Sequence, residues 1–172
     1  LAMGVAGCRE DASSPMEPEE SAPASAVAAA SYTIRSLGTL SGGFSGAGFS
    51  EATAINAAGQ VVGWTSTKSG AVHAFVWKNG VMTDLGALAG GESRAMGINQ
   101  DGLIVGWSRV GSGAMRAVRW KNGGRLNLGT LGGQHSQATG INEFGVIVGW
   151  SETAEKPVIS ASQVLRSLKS CW

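Results

Sequence analysis

The sequence predicts an all-β protein made of tandem four-stranded repeats of about 43 residues, arranged as a partial β-propeller-like array. Three observations lead to this prediction. Short motifs recur along the chain at a 43-residue step. Glycine supplies 27 of the 172 residues, against an ordinary usage of about 7%, and marks frequent turns. Between these turns lie short alternating apolar segments, which favour strands over helices.

The composition excludes several classes of protein and of site. The 43% hydrophobic content is enough for the core of one domain. Lys and Arg (13) nearly balance Asp and Glu (12), so the chain lacks a basic field and we expect no nucleic-acid partner. Two cysteines cannot build a disulfide framework or a Cys-rich zinc site. No apolar run reaches the ~20 residues of a membrane-spanning helix.

The first eight residues end in a lipoprotein-like motif. Val5-Ala6-Gly7-Cys8 resembles a bacterial lipobox, in which small residues precede a cysteine. The resemblance implies that residues 1–8 are the end of a signal peptide and that the Cys8 thiol is the lipidation site. A membrane is then a partner through the lipid anchor, and the protein is extracytoplasmic, at the outer membrane or cell surface. The alternative is one ordinary cysteine near a chain terminus.

The composition of residues 9–31 predicts a disordered tether. The segment consists mostly of Ala, Ser, Pro and Glu and has almost no large apolar side chain. Such a composition cannot offset the entropy of ordering the chain, and its acidic residues keep it solvated. A tether of this kind spaces a domain away from a membrane surface.

The repeats occupy residues 32–157. Their spacing defines units at about 32–80, 81–123 and 124–157, the last of them incomplete. The first unit carries an insertion of five residues around Gly42 to Gly48. The pairs that recur at the 43-residue step are Ile55-Asn56, Ile98-Asn99 and Ile141-Asn142, and Gly63-Trp64, Gly106-Trp107 and Gly149-Trp150.

Each complete unit is predicted to contain four short strands. The Asn79-Gly80 dipeptide predicts a type I′ hairpin turn before segment 81–85. A second strand covers 93–99, and Gly102 supplies the positive φ of the turn that follows it.

The other two strands differ in their expected positions. Segment 103–107 is apolar on both faces, which predicts an inner strand. Its Gly106 leaves room for a large side chain or for another backbone. Segment 115–120 contains Arg116 and Arg119, and charges of this kind predict an outer strand.

The repeat resembles the bacterial HAF extracellular repeat family. The resemblance covers about residues 32–156. It implies an exported or surface protein with a β-propeller-like fold, and it implies no known reaction. The motifs that carry it are Asp84-Leu85-Gly86 to Ser93, Gly97-Ile98-Asn99 to Ser108, and His73-Ala74-Phe75-Val76-Trp77.

No catalytic or metal-binding constellation is predicted. His73 aligns with Arg116 one unit later, and His135 aligns with Glu92, so neither position keeps a histidine. Neither histidine has a second ligand at metal-binding spacing. The glycine pairs such as Gly90-Gly91 lack the phosphate-binding patterns and are interpreted as turns, and no cofactor is expected.

The repeated tryptophans suggest core packing or, where some lie on a rim, a carbohydrate or protein ligand. The core-packing interpretation is favoured because these residues recur at strand positions predicted to be buried. They are Trp64, Trp77, Trp107, Trp120 and Trp150.

The repeat pattern breaks near the end of the chain. Residues 158–172 form an atypical tail in which segment 164–168 has helical spacing and Ser162 is a candidate N-cap. A natural cap and a truncated or frame-altered reading frame both explain this departure. Propellers typically have 4–8 blades, so the open sheet edges would have to pair with another copy, stay prone to aggregation or belong to a longer protein.

Taken together, these patterns favour a non-enzymatic surface or secreted protein, anchored by lipid, that serves in binding, adhesion or structure. One alternative is an extracellular propeller-type hydrolase acting on polysaccharide, which would need paired carboxylates ~5–9.5 Å apart. The other alternative is a truncated repeat-protein remnant without independent function.

Overall fold

The computed structural model describes residues 31–42, 48–89 and 91–154, together with the backbone of 162–165. The chain divides into two units, Leu1–Ile34 and Arg35–Trp172. In the first unit the structure describes only residues 31–34, which have no regular secondary structure. The predicted signal segment with Cys8, the tether up to residue 30 and the insertion at 43–47 lie outside the described residues. No described segment is a helix with the length and apolar character that a membrane span needs.

The second unit consists of antiparallel sheets, and its described residues contain no helix. The first sheet has the order β1-β2-β3-β4, with β1 Ser50–Ile55, β2 Val61–Ser66, β3 Val72–Lys78 and β4 Val81–Asp84. The second has the order β5-β6-β7-β8, with β5 Ser93–Ile98, β6 Ile104–Arg109, β7 Met115–Lys121 and β8 Gly124–Gly129. The third has the order β11-β10-β9, with β9 Gly132–Ile141, β10 Ile147–Thr153 and β11 Ser162–Leu165. The prediction of an all-β fold with four-stranded sheets is confirmed.

Tight hairpins close the outer side of both four-stranded sheets. Asn79 and Gly80 have φ of 51° and 89°, and Asn122 and Gly123 have φ of 50° and 79°. Positive φ at both central residues defines the type I′ turn, whose twist matches that of the flanking strands. The predicted hairpin turn is therefore confirmed, and it recurs one repeat later.

The sheets do not coincide with the units 32–80, 81–123 and 124–157. The hairpin at Asn79-Gly80 pairs β4 with β3, so segment 81–84 belongs to the sheet that precedes it. The first sheet instead ends at the segment between β4 and β5, and the second ends at the two residues between β8 and β9. In the second sheet β8 pairs with β7 in the equivalent way. The predicted outer position of segment 115–120 is therefore wrong, because β7 lies between β6 and β8. Arg116 and Arg119 are half-buried there, and β8 is the exposed outer strand.

A bulge explains the glycine that recurs in the second strand of each sheet. The register between the first two strands slips at Thr53, Met96 and Thr139, each of which is the extra residue of a bulge. The bulged strand pushes a carbonyl towards its neighbour. A Cβ on Gly63 would overlap the carbonyl oxygen of Glu51, and Gly106 and Gly149 face Arg94 and Gln137 in the same way. The close approach is by backbone, one of the two predicted reasons for glycine.

The hydrophobic core lies between successive sheets. Between the first and second sheets it contains Val62, Ala74, Ala95, Ile98, Ile104, Val118 and Trp120. Between the second and third it contains Val105, Ala117, Ala138 and Ile147. The second sheet is thus covered on both faces, and β6 is buried along its whole length except at Arg109.

Asparagine side chains link the turns of successive sheets. Asn56 Nδ2 donates to the main-chain oxygen of Asn99 at 3.0 Å, and Asn99 Nδ2 donates to the main-chain oxygen of Asn142 at 3.3 Å. The side-chain oxygens of these asparagines also accept a main-chain N–H of their own turns. Gln60 donates to Asn56, Leu103 to Asn99 and Val146 to Asn142. We call this series the asparagine ladder. It keeps the buried amides of Asn56 and Asn99 hydrogen-bonded, as buried polar groups require.

The tail contains a strand where a helix was predicted. Ser162–Leu165 forms β11 and pairs with β10, with Val164 opposite Val148 and Ser162 opposite Trp150. The predicted helical conformation is therefore wrong at residues 164 and 165, Ser162 lies in a strand and is not a helix N-cap, and residues 166–172 lie outside the described part. The open edge of β10 offers a row of backbone hydrogen bonds, which outweighs the weak helical spacing of a short segment.

Candidate ligand-binding cleft

A cleft of about 520 Å³ opens between the first and second sheets. Its size lies within the range of about 300–1,000 Å³ that is typical of small-molecule sites. The first sheet and its β1–β2 turn contribute Ala58, Gln60, Val76, Lys78, Thr83, Asp84 and Leu85 to its lining. The second sheet contributes Gln100, Asp101, Gly102, Ile104, Trp120, Lys121, Asn122, Gly123 and Gly124.

The fold of each repeat positions these groups. Lys78 and Asp84 lie on the two strands joined by the first type I′ hairpin, and Asn122 is in the turn of the second hairpin. Gln100 and Asp101 occupy the tight turn before β6, which closes through a hydrogen bond from Gly102 N to Asn99 O at 3.1 Å. The cleft therefore requires the packing of the first sheet against the second, since both contribute strand and turn residues to its lining.

Trp120 connects the cleft with the core. Its side chain is 2% exposed and packs with Ile104 and Val76, which also line the cleft. Its indole Nε1 is buried and has no hydrogen-bond partner among the described residues. A buried donor without an acceptor costs about 1–3 kcal/mol of stability.

The charges along the cleft are balanced. Lys78 and Lys121 contribute ammonium groups, and Asp84 and Asp101 contribute carboxylates. Asp84 is held in place, because its carboxylate lies 2.9 Å from His73 Nδ1 and accepts a hydrogen bond from Gly86 N at 2.7 Å. No ion pair involves the other three residues within the described ranges. A balanced set of donors and acceptors suits a neutral hydroxyl-rich ligand better than an ionic one.

The two histidines lie in different environments and share no site. His73 Nδ1 lies 2.9 Å from the Asp84 carboxylate on the exposed side of β3. His135 Nδ1 accepts a hydrogen bond from Met115 N at 3.1 Å, which links the third sheet to the second. In the part of the chain that the structure describes, no three His, Cys, Asp or Glu side chains converge on a metal position.

Two of the repeated tryptophans stack with an arginine between the sheets. The Arg94 guanidinium lies 4.9 Å from the ring centre of Trp64 and 5.3 Å from that of Trp107. Glu92 holds it in place through a 3.0 Å contact and also pairs with Arg109 at 2.8 Å. Trp107 and Trp120 are buried, as predicted for core residues, whereas Trp64, Trp77 and Trp150 are half-buried.

The Glu92 carboxyl responds to both burial and charge. Partial burial acts to raise its pKa, but the hydrogen bonds and positive charges of Arg109 and Arg94 outweigh burial. The pKa of Glu92 therefore lies below its ordinary value, and the carboxylate form is favoured.

Sequence reasoning did not identify the cleft. Its polar residues come from two different repeats, and within one repeat they are ordinary turn or strand residues. One signal was available: Lys78 and Lys121 recur at the repeat spacing, and both precede an Asn-Gly turn.

Comparisons with known proteins identify no similar protein. Neither a protein-family model, nor a curated protein, nor a solved structure matches the chain.

Proposed function

We propose that this chain is a non-enzymatic, lipid-anchored surface protein whose inter-sheet cleft binds a short neutral oligosaccharide. The observation that carries the proposal is the lining of that cleft, in which the Trp120 side chain lies among polar and charged groups from two sheets. Amide, ammonium and carboxylate groups around it can donate to and accept from sugar hydroxyls without selecting a net charge.

The proposal includes the architecture and the location. Successive sheets pack face to face, and the first strands β1, β5 and β9 contact one another in series. This supports stacking of the sheets as blades of a partial propeller. The resemblance to HAF repeats and the lipobox-like Val5-Ala6-Gly7-Cys8 support an extracytoplasmic location.

Calorimetric titration of a panel of neutral oligosaccharides into the 172-residue chain tests the binding function. We expect saturable binding by at least one glycan. Trp120→Phe should weaken it ~2–10-fold, because the smaller ring changes the shape of the cleft wall. Trp77→Phe is the matched control, since Trp77 does not line the cleft. Absence of saturable binding, or an equal loss in both variants, would refute the proposal.

The same panel distinguishes the alternatives. Release of new reducing ends would identify the hydrolase, in which Asp84 and Asp101 of the cleft would be the first carboxylates to substitute. A chain that shows no cooperative thermal unfolding would identify the remnant without independent function.

The anchor has its own experiment. Mass spectrometry of the protein from membranes of its natural host should find an acylated cysteine at position 8. Cys8→Ser should move the protein from the membrane fraction to the soluble fraction. Retention of this variant in the membrane would exclude a lipid at this cysteine as the anchor.

A further inference from the structure

The two ends of the array expose surfaces that are buried at equivalent positions inside it. At one end, Ser50, Ala52 and Ile55 of β1 are exposed, Ile55 at 67%. We call these three residues the leading face. Their equivalents one repeat later lie against the first sheet and are buried: Ser93, Ala95 and Ile98.

The other end shows the converse. Thr139, Asn142 and Val148 of the third sheet are exposed, Val148 at 44%. We call these residues the trailing face. Their equivalents in the first sheet lie against the second sheet and are buried or half-buried: Thr53, Asn56 and Val62.

The interface between the first and second sheets shows how two such faces join. Thr53 Oγ1 donates to Ala95 O at 2.9 Å, and Asn56 Nδ2 donates to Asn99 O at 3.0 Å. Val62 packs in the same cluster as Ala95 and Ile98. Both donors and Val62 therefore occupy positions that recur in the trailing face, and Ala95 and Ile98 occupy positions that recur in the leading face.

The trailing face and the leading face present the same groups at the two ends of the array. Thr139 Oγ1 donates within its own sheet to Val148 O, as Thr53 does to Val62 O. Asn142 Oδ1 is occupied by its own turn, whereas its Nδ2 has no acceptor within the described ranges. The acceptors that would match are the main-chain oxygens of Ala52 and Asn56, and Ile55 would receive Val148.

We infer that the trailing face of one copy binds the leading face of a second copy, so that the stack of sheets continues from chain to chain. The occupant is the same chain because that chain already contains this interface between its own sheets. Such an interface is heterologous: it closes into a ring if the rotation per sheet allows, and otherwise forms an open array. Two copies would bring together six sheets, within the usual range of about 4–8 propeller blades.

Charge substitutions on the two faces test this inference. Ile55→Lys alters only the leading face, and Val148→Glu alters only the trailing face. Analytical ultracentrifugation of the wild-type chain should show concentration-dependent association. Each variant alone should associate at least ~10-fold more weakly, because the interface would bury an unpaired charge. Both positions are exposed in the single chain, so circular dichroism should show an intact fold.

Mixing gives the sharper result. The Ile55→Lys chain keeps a normal trailing face, and the Val148→Glu chain keeps a normal leading face. An equimolar mixture should therefore regain association, because the two normal faces bind each other and the two remaining faces carry opposite charges. The double variant should regain association, because the introduced ammonium and carboxylate groups would face each other across the interface.

Three outcomes would overturn the inference. A wild-type chain that stays monomeric up to hundreds of micromolar has no such interface. Association that survives in both single variants uses another surface, such as the strand edges. Association that is lost in only one variant is isologous, with the same face on both copies. Binding of oligosaccharide to the cleft does not depend on any of these results.

Discussion

The interface between the first and second sheets is built differently from the interface between the second and third. In the first, Arg94 lies between Trp64 and Trp107 and is held by Glu92. The repeat register places Gln137 and His135 at the positions of Arg94 and Glu92 in the third sheet. The second interface therefore lacks this stacked cation, and it has the smaller buried cluster.

The difference shows that equal spacing along the sequence does not give equal packing between sheets. Each sheet is a similar unit, but neighbours decide how much of it is buried, as in other repeat proteins. The second sheet has a neighbour on both faces, whereas the first and third each have one open face. Identical substitutions at equivalent positions should therefore have graded effects.

Substitution of the bulge-facing glycines should give the largest effect. Gly106→Ala places a Cβ on the carbonyl oxygen of Arg94 in the fully covered sheet, so the backbone must shift against packed neighbours on both sides. We expect a loss of about 2–4 kcal/mol in the free energy of unfolding, measured by urea denaturation. Gly149→Ala should cost less, because the third sheet can move towards its open face. Equal costs would show that local backbone overlap alone decides the outcome.

Truncation of the repeated valines should come next. Val105 is fully buried, whereas Val148 is 44% exposed. Val105→Ala should cost about 1.5–3 kcal/mol through lost burial and a cavity, and Val148→Ala less than about 1 kcal/mol. Thermal melts of both variants, recorded at low protein concentration to keep the chains apart, provide the comparison. A larger cost for Val148 would contradict the exposed face.

The asparagine ladder should show a smaller gradient. Asn99→Ala removes a bond to Leu103 N within the turn and the bond to Asn142 O across the interface. Asn142→Ala removes only bonds within its own turn, to Phe144 N and Val146 N. We expect losses of about 2–3 and about 1 kcal/mol respectively, because Asn99 is also buried. Equal denaturation midpoints for the two variants would show that the inter-sheet bond contributes nothing.

Acid should weaken the first interface slightly more than the second. The pKa of Glu92 is lower in the folded chain than in the unfolded one. Its stabilisation is therefore complete above the unfolded pKa of about 4.3 and is lost as the pH falls through the folded value. The melting temperature of the wild type should fall more steeply below about pH 5 than that of Glu92→Gln. Parallel pH profiles of the two melting temperatures would show that the Glu92 carboxylate does not stabilise the fold.

Local features of this fold could be predicted from the sequence, and non-local features could not. Asn79-Gly80 identified its hairpin because the turn depends on the conformations of two adjacent residues. The position of β7 within its sheet depends on which strand pairs beyond it, and the arginines of segment 115–120 suggested the wrong position. The strand at Ser162–Leu165 escaped prediction because the edge of β10, rather than local spacing, determines its conformation.

The cleft was outside the reach of sequence reasoning for a related reason. Asp84 and Asp101 belong to different repeats and share a site only after the sheets pack. The burial of Trp120 was expected, but the lack of an acceptor for its indole N–H among the described residues is a property of the packed structure.

The position of the sheet boundaries has a consequence for how such arrays change in length. The first two sheets each end in a connection to the next sheet, and the repeat period equals one sheet plus one connection. A duplication or deletion of one period, wherever its breakpoints fall, therefore restores complete sheets in their original order. Recombination between repeats can thus lengthen or shorten the protein in whole sheets without disturbing the sites between the sheets that remain.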